Sequence, residues 1–242
     1  VKKMSLIEGK KVTKYFGGLA AITQVDFAVE KGELVGLIGP NGAGKTTLFN
    51  LISGALSLNS GTIHFKGQKI NGLNPHKICR MGLARTFQSV KIFGNMPVIA
   101  NVSLGVMFGQ STHTSQTEAV LQAGELLEFM GLSAVQSTAA KELTLVSQKR
   151  LEVARALATK PELLLLDELM AGLNPAEVAE SMELVNSIRD RGITIIMVEH
   201  VMKAIMGICD RIVVLHHGEK IAEGTPQEIS KSKTVVEVYL GE

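Results

Sequence analysis

The 242-residue chain has no tryptophan, only 4% aromatic residues, six prolines and two cysteines. Two thiols, Cys79 and Cys209, cannot build a disulfide framework; a small stapled secreted fold is excluded, and both are expected as packed thiols in a reducing compartment. An excess of charge is missing too. Lys+Arg 25 against Asp+Glu 23 leaves a net charge of +2, which offers no electrostatic footprint for nucleic acid. No apolar run approaches the ~18 residues that span a bilayer. The longest, LLLL from 163 and ITIIMV from 193, are strand-sized, and a soluble chain is expected. The opening VKKMSLIEG lacks the apolar stretch of a secretory signal, and Met4 is expected to be the native start. What the chain does have is a 45% apolar fraction, enough at this length for one large domain or two small ones.

The densest local signal is ELVGLIGPNGAGKTT, residues 33–47. Val35, Leu37 and Ile38 between Gly32 and Gly39 read as a buried strand, and a helix is expected from Lys45 through Ile52. Between them Gly39, Pro40, Asn41, Gly42, Ala43, Gly44, Lys45, Thr46 and Thr47 carry the G-x-x-x-x-G-K-T pattern of a phosphate-binding loop. Successive backbone N–H groups and the positive end of the following helix form an anion cradle. Glycines 39, 42 and 44 are expected to let the backbone approach the phosphates, Lys45 to place a charge over the β- and γ-phosphates, and Thr46 to offer a hydroxyl to Mg²⁺. A glycine-rich turn beside a surface lysine also arises by chance, but the strand before it and the helix after it argue against that reading.

Around this loop the pattern divides the chain. Residues 5–30 read as two or three antiparallel strands about the KYFGG turn, and GTIHFKGQKI, 61–70, alternates again. A short helix from Pro75 leads to LARTFQ, 83–88, expected as a strand closed by Gln88. Residues 95–160 read as helical, with GQSTHTSQTE as a solvated loop in which His113 has no role, and with Leu121, Leu126 and Phe129 in an apolar stripe that Gly131 ends. Ser147 is expected to cap the helix QKRLEVARALATK. LLLLD, 163–167, has the continuous apolar character of a strand buried on both faces. Asn174, Pro175 and Glu177, and later Thr225, Pro226 and Glu228, read as helix starts, with strands at ITIIMV and RIVVLH between them and a polar-apolar tail after them. Strand and helix alternating from 161 onward predict an open, mostly parallel sheet.

Such sheets bind ligands at the carboxyl ends of their strands. Asp167 and Glu168 stand at one such end, where one carboxylate can hold Mg²⁺ and a second can orient a water, although adjacent acids there also arise as a helix-capping accident. His200 closes the next strand; a lone histidine is usually structural, but this one lies at the ligand edge.

Taken in order, these motifs resemble those of the ABC-type ATPases over nearly the whole chain. GPNGAGKTT is similar to their Walker A, LLLLDE to their Walker B with Glu168 as catalytic acid, TFQ to their Q-loop, AGLN with Asn174 to their D-loop, and VEH to their switch histidine. Phe16 stands where the family carries an aromatic that stacks on adenine. The resemblance implies an α/β fold: a RecA-like P-loop core with an antiparallel β subdomain, about 4–88 and 159–242, and an inserted α-helical subdomain, about 89–158. It also implies ATP and Mg²⁺, the metal held by Thr46, Gln88 and Asp167, with catalysis by Glu168, His200 and Gln88.

RMGLARTFQ, GICDRI, AEGTPQEI and the terminal YLGE resemble the branched-chain amino acid importer ATPases, the LivG-like group. That resemblance implies a cytoplasmic subunit, peripheral on the inner face of the cell membrane, paired with a second ATPase and with transmembrane permeases, and no nucleic acid. Phe93, Met96 and Val98 are then candidate permease contacts, with ordinary packing as the alternative. Other readings are the ATPase of a lipopolysaccharide-type exporter, a non-transport ABC module and a regulatory nucleotide-binding subunit. One motif departs from the family. Its LSGGQ signature, which contacts the ATP of the dimer partner, is Leu143-Thr144-Leu145-Val146-Ser147 here, without either glycine. Leu169 likewise stands where the family usually has proline.

Overall fold

The computed structural model describes residues 5–109 and 114–240; Met4, His113 and the last two residues of YLGE lie outside them. A hairpin opens the chain, β1 (Ile7–Phe16) against β2 (Leu19–Val29), followed by β3 (Leu34–Ile38) and α1 (Lys45–Ile52). Next come β4 (Ser60–Phe65), β5 (Gln68–Lys69), α2 (Pro75–Arg80) and β6 (Leu83–Arg85). Three helices follow, α3 (Val98–Phe108), α4 (Gln116–Phe129) and α5 (Leu145–Ala158), with 3-10 turns at Ser133–Val135 and Ala140–Glu142. The remainder alternates as β7 (Leu163–Asp167), α6 (Pro175–Asp190), β8 (Thr194–Val198), α7 (Met202–Ile208), β9 (Arg211–His216), β10 (Glu219–Gly224), α8 (Pro226–Lys231) and α9 (Lys233–Leu240).

Two sheets result. An antiparallel one has the order β2-β1-β4-β5, and a six-stranded one has the order β10-β9-β3-β8-β7-β6. In the larger sheet β9, β3, β8, β7 and β6 are all parallel, and β10 alone runs the other way. Side chains alternate across a strand, and this alternation sorts the buried residues into two cores. Leu164, Leu166, Ile195, Met197, Ile212 and Val214 face a core shared with α3 to α8. Leu163, Leu165, Ile196, Val198, Val213 and Leu215 face a second core, shared with α1 and the antiparallel sheet. The strands therefore read as unbroken apolar runs because both faces are covered.

Local capping decides several boundaries differently from the sequence pattern. The N-cap of α5 is Thr144, whose hydroxyl accepts Ser147 N–H; Ser147 lies inside the first turn, and Leu145 and Val146 are helical. Helix α4 begins at Gln116 under a Ser115 cap, earlier than expected, because that hydroxyl satisfies Glu118 N–H. Its buried stripe is Ala119, Ala123 and Leu127, while Leu121 is 67% exposed. The strand expected to run to Gln88 stops at Arg85, where pairing with β7 ends. His200 stands two residues beyond β8, and Lys233–Leu240 of the tail form a helix. Of the candidate permease contacts, Val98, at the start of α3, is fully buried in ordinary packing, whereas Phe93 is exposed with the Arg155 guanidinium over its ring.

Both expected capping boxes form, Asn174 with Glu177 and Thr225 with Glu228. Thr225 lies far in sequence from every nucleotide motif, so Thr225→Ala should cost about 1 kcal/mol in urea unfolding while leaving nucleotide affinity unchanged.

Candidate active site

Parallel pairing brings the carboxyl ends of β3, β6, β7, β8 and β9 to one edge of the sheet. There the loop from Asn41 to Thr47 lines a cleft of about 370 Å³ together with Gln88, Glu168 and His200. Leu19, Ala20 and Ala21 from the antiparallel sheet and His217 after β9 complete its wall. Five short stretches far apart in sequence thus meet around the glycine loop. Gly39 and Pro40 do not line the cleft; their carbonyls accept hydrogen bonds from the Lys45 ammonium at 2.6 and 2.9 Å. Lys45 is buried, and desolvation lowers its pKa against the opposing pull of Glu168 and Asp167.

The loop glycines serve different ends. A Cβ on Gly39 would lie 2.1 Å from the Leu215 carbonyl oxygen, and one on Gly44 would lie 2.6 Å from that of Ala21. Both residues are needed for the loop to seat against its own protein. Only Gly42, at φ +80 with open space before it, fits the expected role of letting a ligand approach.

Across the cleft the Glu168 carboxylate is held at both oxygens. Gln88 Nε2 donates to Oε2 at 3.1 Å, and His200 Nε2 lies 2.9 Å from Oε1. Since a carboxylate only accepts, His200 carries its proton on Nε2 in this contact. Behind Glu168 sits Asp167, 2% exposed. Its Oδ2 accepts from Arg85 Nη2 at 2.9 Å, and burial raises its pKa while the Arg85 hydrogen bond and charge oppose the rise. Its Oδ1 is buried with no hydrogen-bond partner. An orphaned carboxylate oxygen in such a place suits a hard cation or an ordered water. Among the described residues no group of three or more His, Cys, Asp or Glu side chains could hold a metal alone, so a Mg²⁺ here would depend on a few protein oxygens and the phosphates of its ligand.

Arg85 is a site residue that the sequence pattern missed. Its guanidinium also donates to Asn50 Oδ1 on α1 at 2.5 Å and stands over the rings of Phe49 and Phe87. No local pattern marks it, because its partner Asp167 is 82 residues away. Other expected residues stay apart from the cleft. Phe16 is 47% exposed at the end of β1 with Lys14 over its ring, and it does not line the cleft, although Leu19 opposite it does. Thr144 and Leu145 stand exposed at the N-terminus of α5, Val146 and Ser147 are half-buried, and Asn174 caps α6 outside the cleft.

Comparison with known proteins follows the same outline. The pattern of the ABC transporter family matches residues 22–171, and that of the branched-chain amino acid ATP-binding cassette transporters matches residues 219–242. The high-affinity branched-chain amino acid transport ATP-binding protein LivG of Escherichia coli (strain K12) is 42% identical over 240 residues, 94% of each chain. A nucleotide-free ATP-binding cassette from an ABC transporter superposes with a TM-score of 0.89 at 30% identity, over 99% of this chain and 100% of that one. A dimeric cassette in a post-hydrolysis state, bound to ADP and Pi, gives 0.83 at 26% identity over 91% and 98%.

Two sets of variants probe this geometry. Gly39→Ala and Gly44→Ala should lower thermal stability sharply, whereas Gly42→Ala should cost only the about 1–2 kcal/mol of a left-handed backbone and should weaken nucleotide binding instead. Arg85→Leu leaves a buried carboxylate unpaired and should cost about 3–5 kcal/mol in denaturant unfolding.

Proposed function

The chain belongs to the ABC transporter ATP-binding family, and from that premise we propose that it is the energy-coupling ATPase of an importer for branched-chain or related amino acids. The substrate class rests on one observation above all, the match of residues 219–242 to the branched-chain cassette pattern, and identity with LivG over nearly its full length supports it. In this reading the regions about 4–88 and 159–242 make the β subdomain and core, and about 89–158 the helical subdomain.

ATP is the substrate. Loop N–H groups and the N-terminus of α1 hold its phosphates, and the Lys45 ammonium, now on the Gly39 and Pro40 carbonyls, is within its own side-chain reach of them. Mg²⁺, held by Asp167 Oδ1, Thr46 and Gln88, would supply charge neutralisation on the phosphate oxygens. Glu168 accepts a hydrogen bond from the attacking water and directs it at the γ-phosphorus. Gln88 and His200, which grip the same carboxylate, fix its aim, and His200 also faces the charge that builds on the transferring group. Phe16 stacks on adenine if the β1–β2 end folds over the base.

The partners are a second ABC ATPase subunit, identical or related, and transmembrane permeases. Among the described residues no helix is long and apolar enough to cross a membrane; as the partner of such permeases, the chain would work in the cytoplasm as a peripheral subunit on the inner face. A second cleft of about 340 Å³, lined by Phe87, Lys91, Glu152 and Arg155, lies between α5 and the core and would receive a permease segment. Thr144, Leu145, Val146 and Ser147 would face the partner's ATP. With Leu145 and Val146 in place of glycines, backbone approach there is hindered, so beside a related partner that keeps its own signature the partner's site is the weaker of the two.

In the assembled transporter, Glu168→Gln should lower ATP turnover about 10²-fold or more, and the equivalent change in a related partner should do less. Equal or reversed ranking, measured by steady-state phosphate release, would reject the asymmetry. An Glu168→Gln complex that still hydrolyses ATP normally would reject the catalytic assignment.

A further inference from the structure

Two buried titratable side chains beside the site have no part in the arrangement above. Lys149, in the second turn of α5, is 7% exposed, and Glu199, between β8 and His200, is 2% exposed. Charged groups buried to this degree need partners. The Lys149 ammonium donates to three backbone carbonyls, those of Glu168 at 2.9 Å, Leu169 at 3.0 Å and Ala171 at 2.7 Å. An ammonium has three protons, so its donor capacity is filled by one short turn. In the same turn Glu199 Oε1 accepts Met170 N–H at 2.7 Å.

That turn needs holding. Glu168 has φ +53, in the left-handed region that residues with a Cβ disfavour. Its own N–H is tied to the Val198 carbonyl at 2.8 Å, but rotation of the following peptides would swing its Cα–Cβ bond and carry the carboxylate away from Gln88 and His200. Strain of this kind persists only where neighbouring groups over-determine the backbone. Lys149 and Glu199 supply that constraint, one on the carbonyls and one on the amide.

We propose that Lys149 is a positioning residue for hydrolysis: by locking the 168–171 turn it fixes the aim of the Glu168 carboxylate. Lys149 also rides on the helix whose first turn is Leu145 to Gln148, so any shift of that helix end is passed to the hydrolytic acid of the same chain. The inference rests on the ATPase reading. It adds a mechanical link between the surface offered to the partner's nucleotide and turnover at the chain's own site.

The full chain, purified with the subunits that accompany it, provides the test. Steady-state ATP hydrolysis and binding of a fluorescent ATP analogue are measured for Lys149→Met and Lys149→Arg. The Met variant keeps the length of the side chain without its donors. It should lose at least tenfold in kcat while KM and analogue affinity stay within threefold, and the Arg variant should recover at least a third of the wild-type rate. Turnover of Lys149→Met within twofold of wild type overturns the proposal. So does a joint fall of kcat and nucleotide affinity that Arg does not repair, which is the mark of a merely structural lysine. Should the Met variant fail to fold, Glu199→Ala releases the turn at the amide and carries the same expectation, and an unchanged kcat in it also overturns the proposal. Wild-type complex without ATPase activity would instead refute the ATPase reading itself, so the two failures are distinct.

Discussion

Everything at the site depends on the parallel pairing of β9, β3, β8, β7 and β6. A parallel sheet delivers every strand's carboxyl end to one edge, and here that edge gathers the glycine loop, Asp167 with Glu168, His200 and Gln88. The pairing holds because the strands are apolar on both faces, so each side chain has a core to enter. α1 is packed beneath the loop by Leu48, Phe49, Leu51 and Ile52, which points its N-terminus at the same edge. Chemistry and packing therefore share one framework: the alternation that fills the two cores also sets the register of the strand ends.

Polar groups near that edge are satisfied in a strict order. Lys45 goes to loop carbonyls, Glu168 to an amide and an imidazole, and Asp167 to Arg85 through one oxygen only. The other Asp167 oxygen is a buried acceptor left without a partner, and so is Oε2 of Glu199 beside His200. Left-handed backbone recurs here, at Gly39, Gly42 and Gly44 in the loop, at Glu168 opposite and at His217 after β9, as it does in turns elsewhere in the chain.

Much of this was legible in the chain because it is written in short-range pattern. The glycine loop between a strand and a helix, the unbroken LLLLD strand and the Asn174 and Thr225 capping boxes each need only a few neighbouring residues to be read. What escaped depends on contacts distant in sequence. Arg85 pairs across 82 residues, and the reasons for Gly39 and Gly44 lie in the Leu215 and Ala21 carbonyls. Boundaries slipped where two hydroxyls competed for one cap: Thr144 and Ser147 both qualify by residue type, and only the backbone angle at Thr144 decides between them. In the α4 stripe Leu126 and Phe129 do pack against the core, but Leu121 is exposed, and the small Ala119 and Ala123 are the buried residues that a search for large apolar side chains passes over.

Arg85 also borders the second cleft, beside Phe87, while its guanidinium touches Asp167. One planar cation thus joins the lining of that cleft to a buried carboxylate, with the exposed ring of Phe87 on one side and Asp167 on the other. A lysine there would keep the charge and lose the plane, and with it the ability to touch Asn50, Asp167 and both rings at once. Whatever enters that cleft leans on the same side chain that steadies Asp167, so a change of occupant on one face of the guanidinium is felt by the carboxylate on the other.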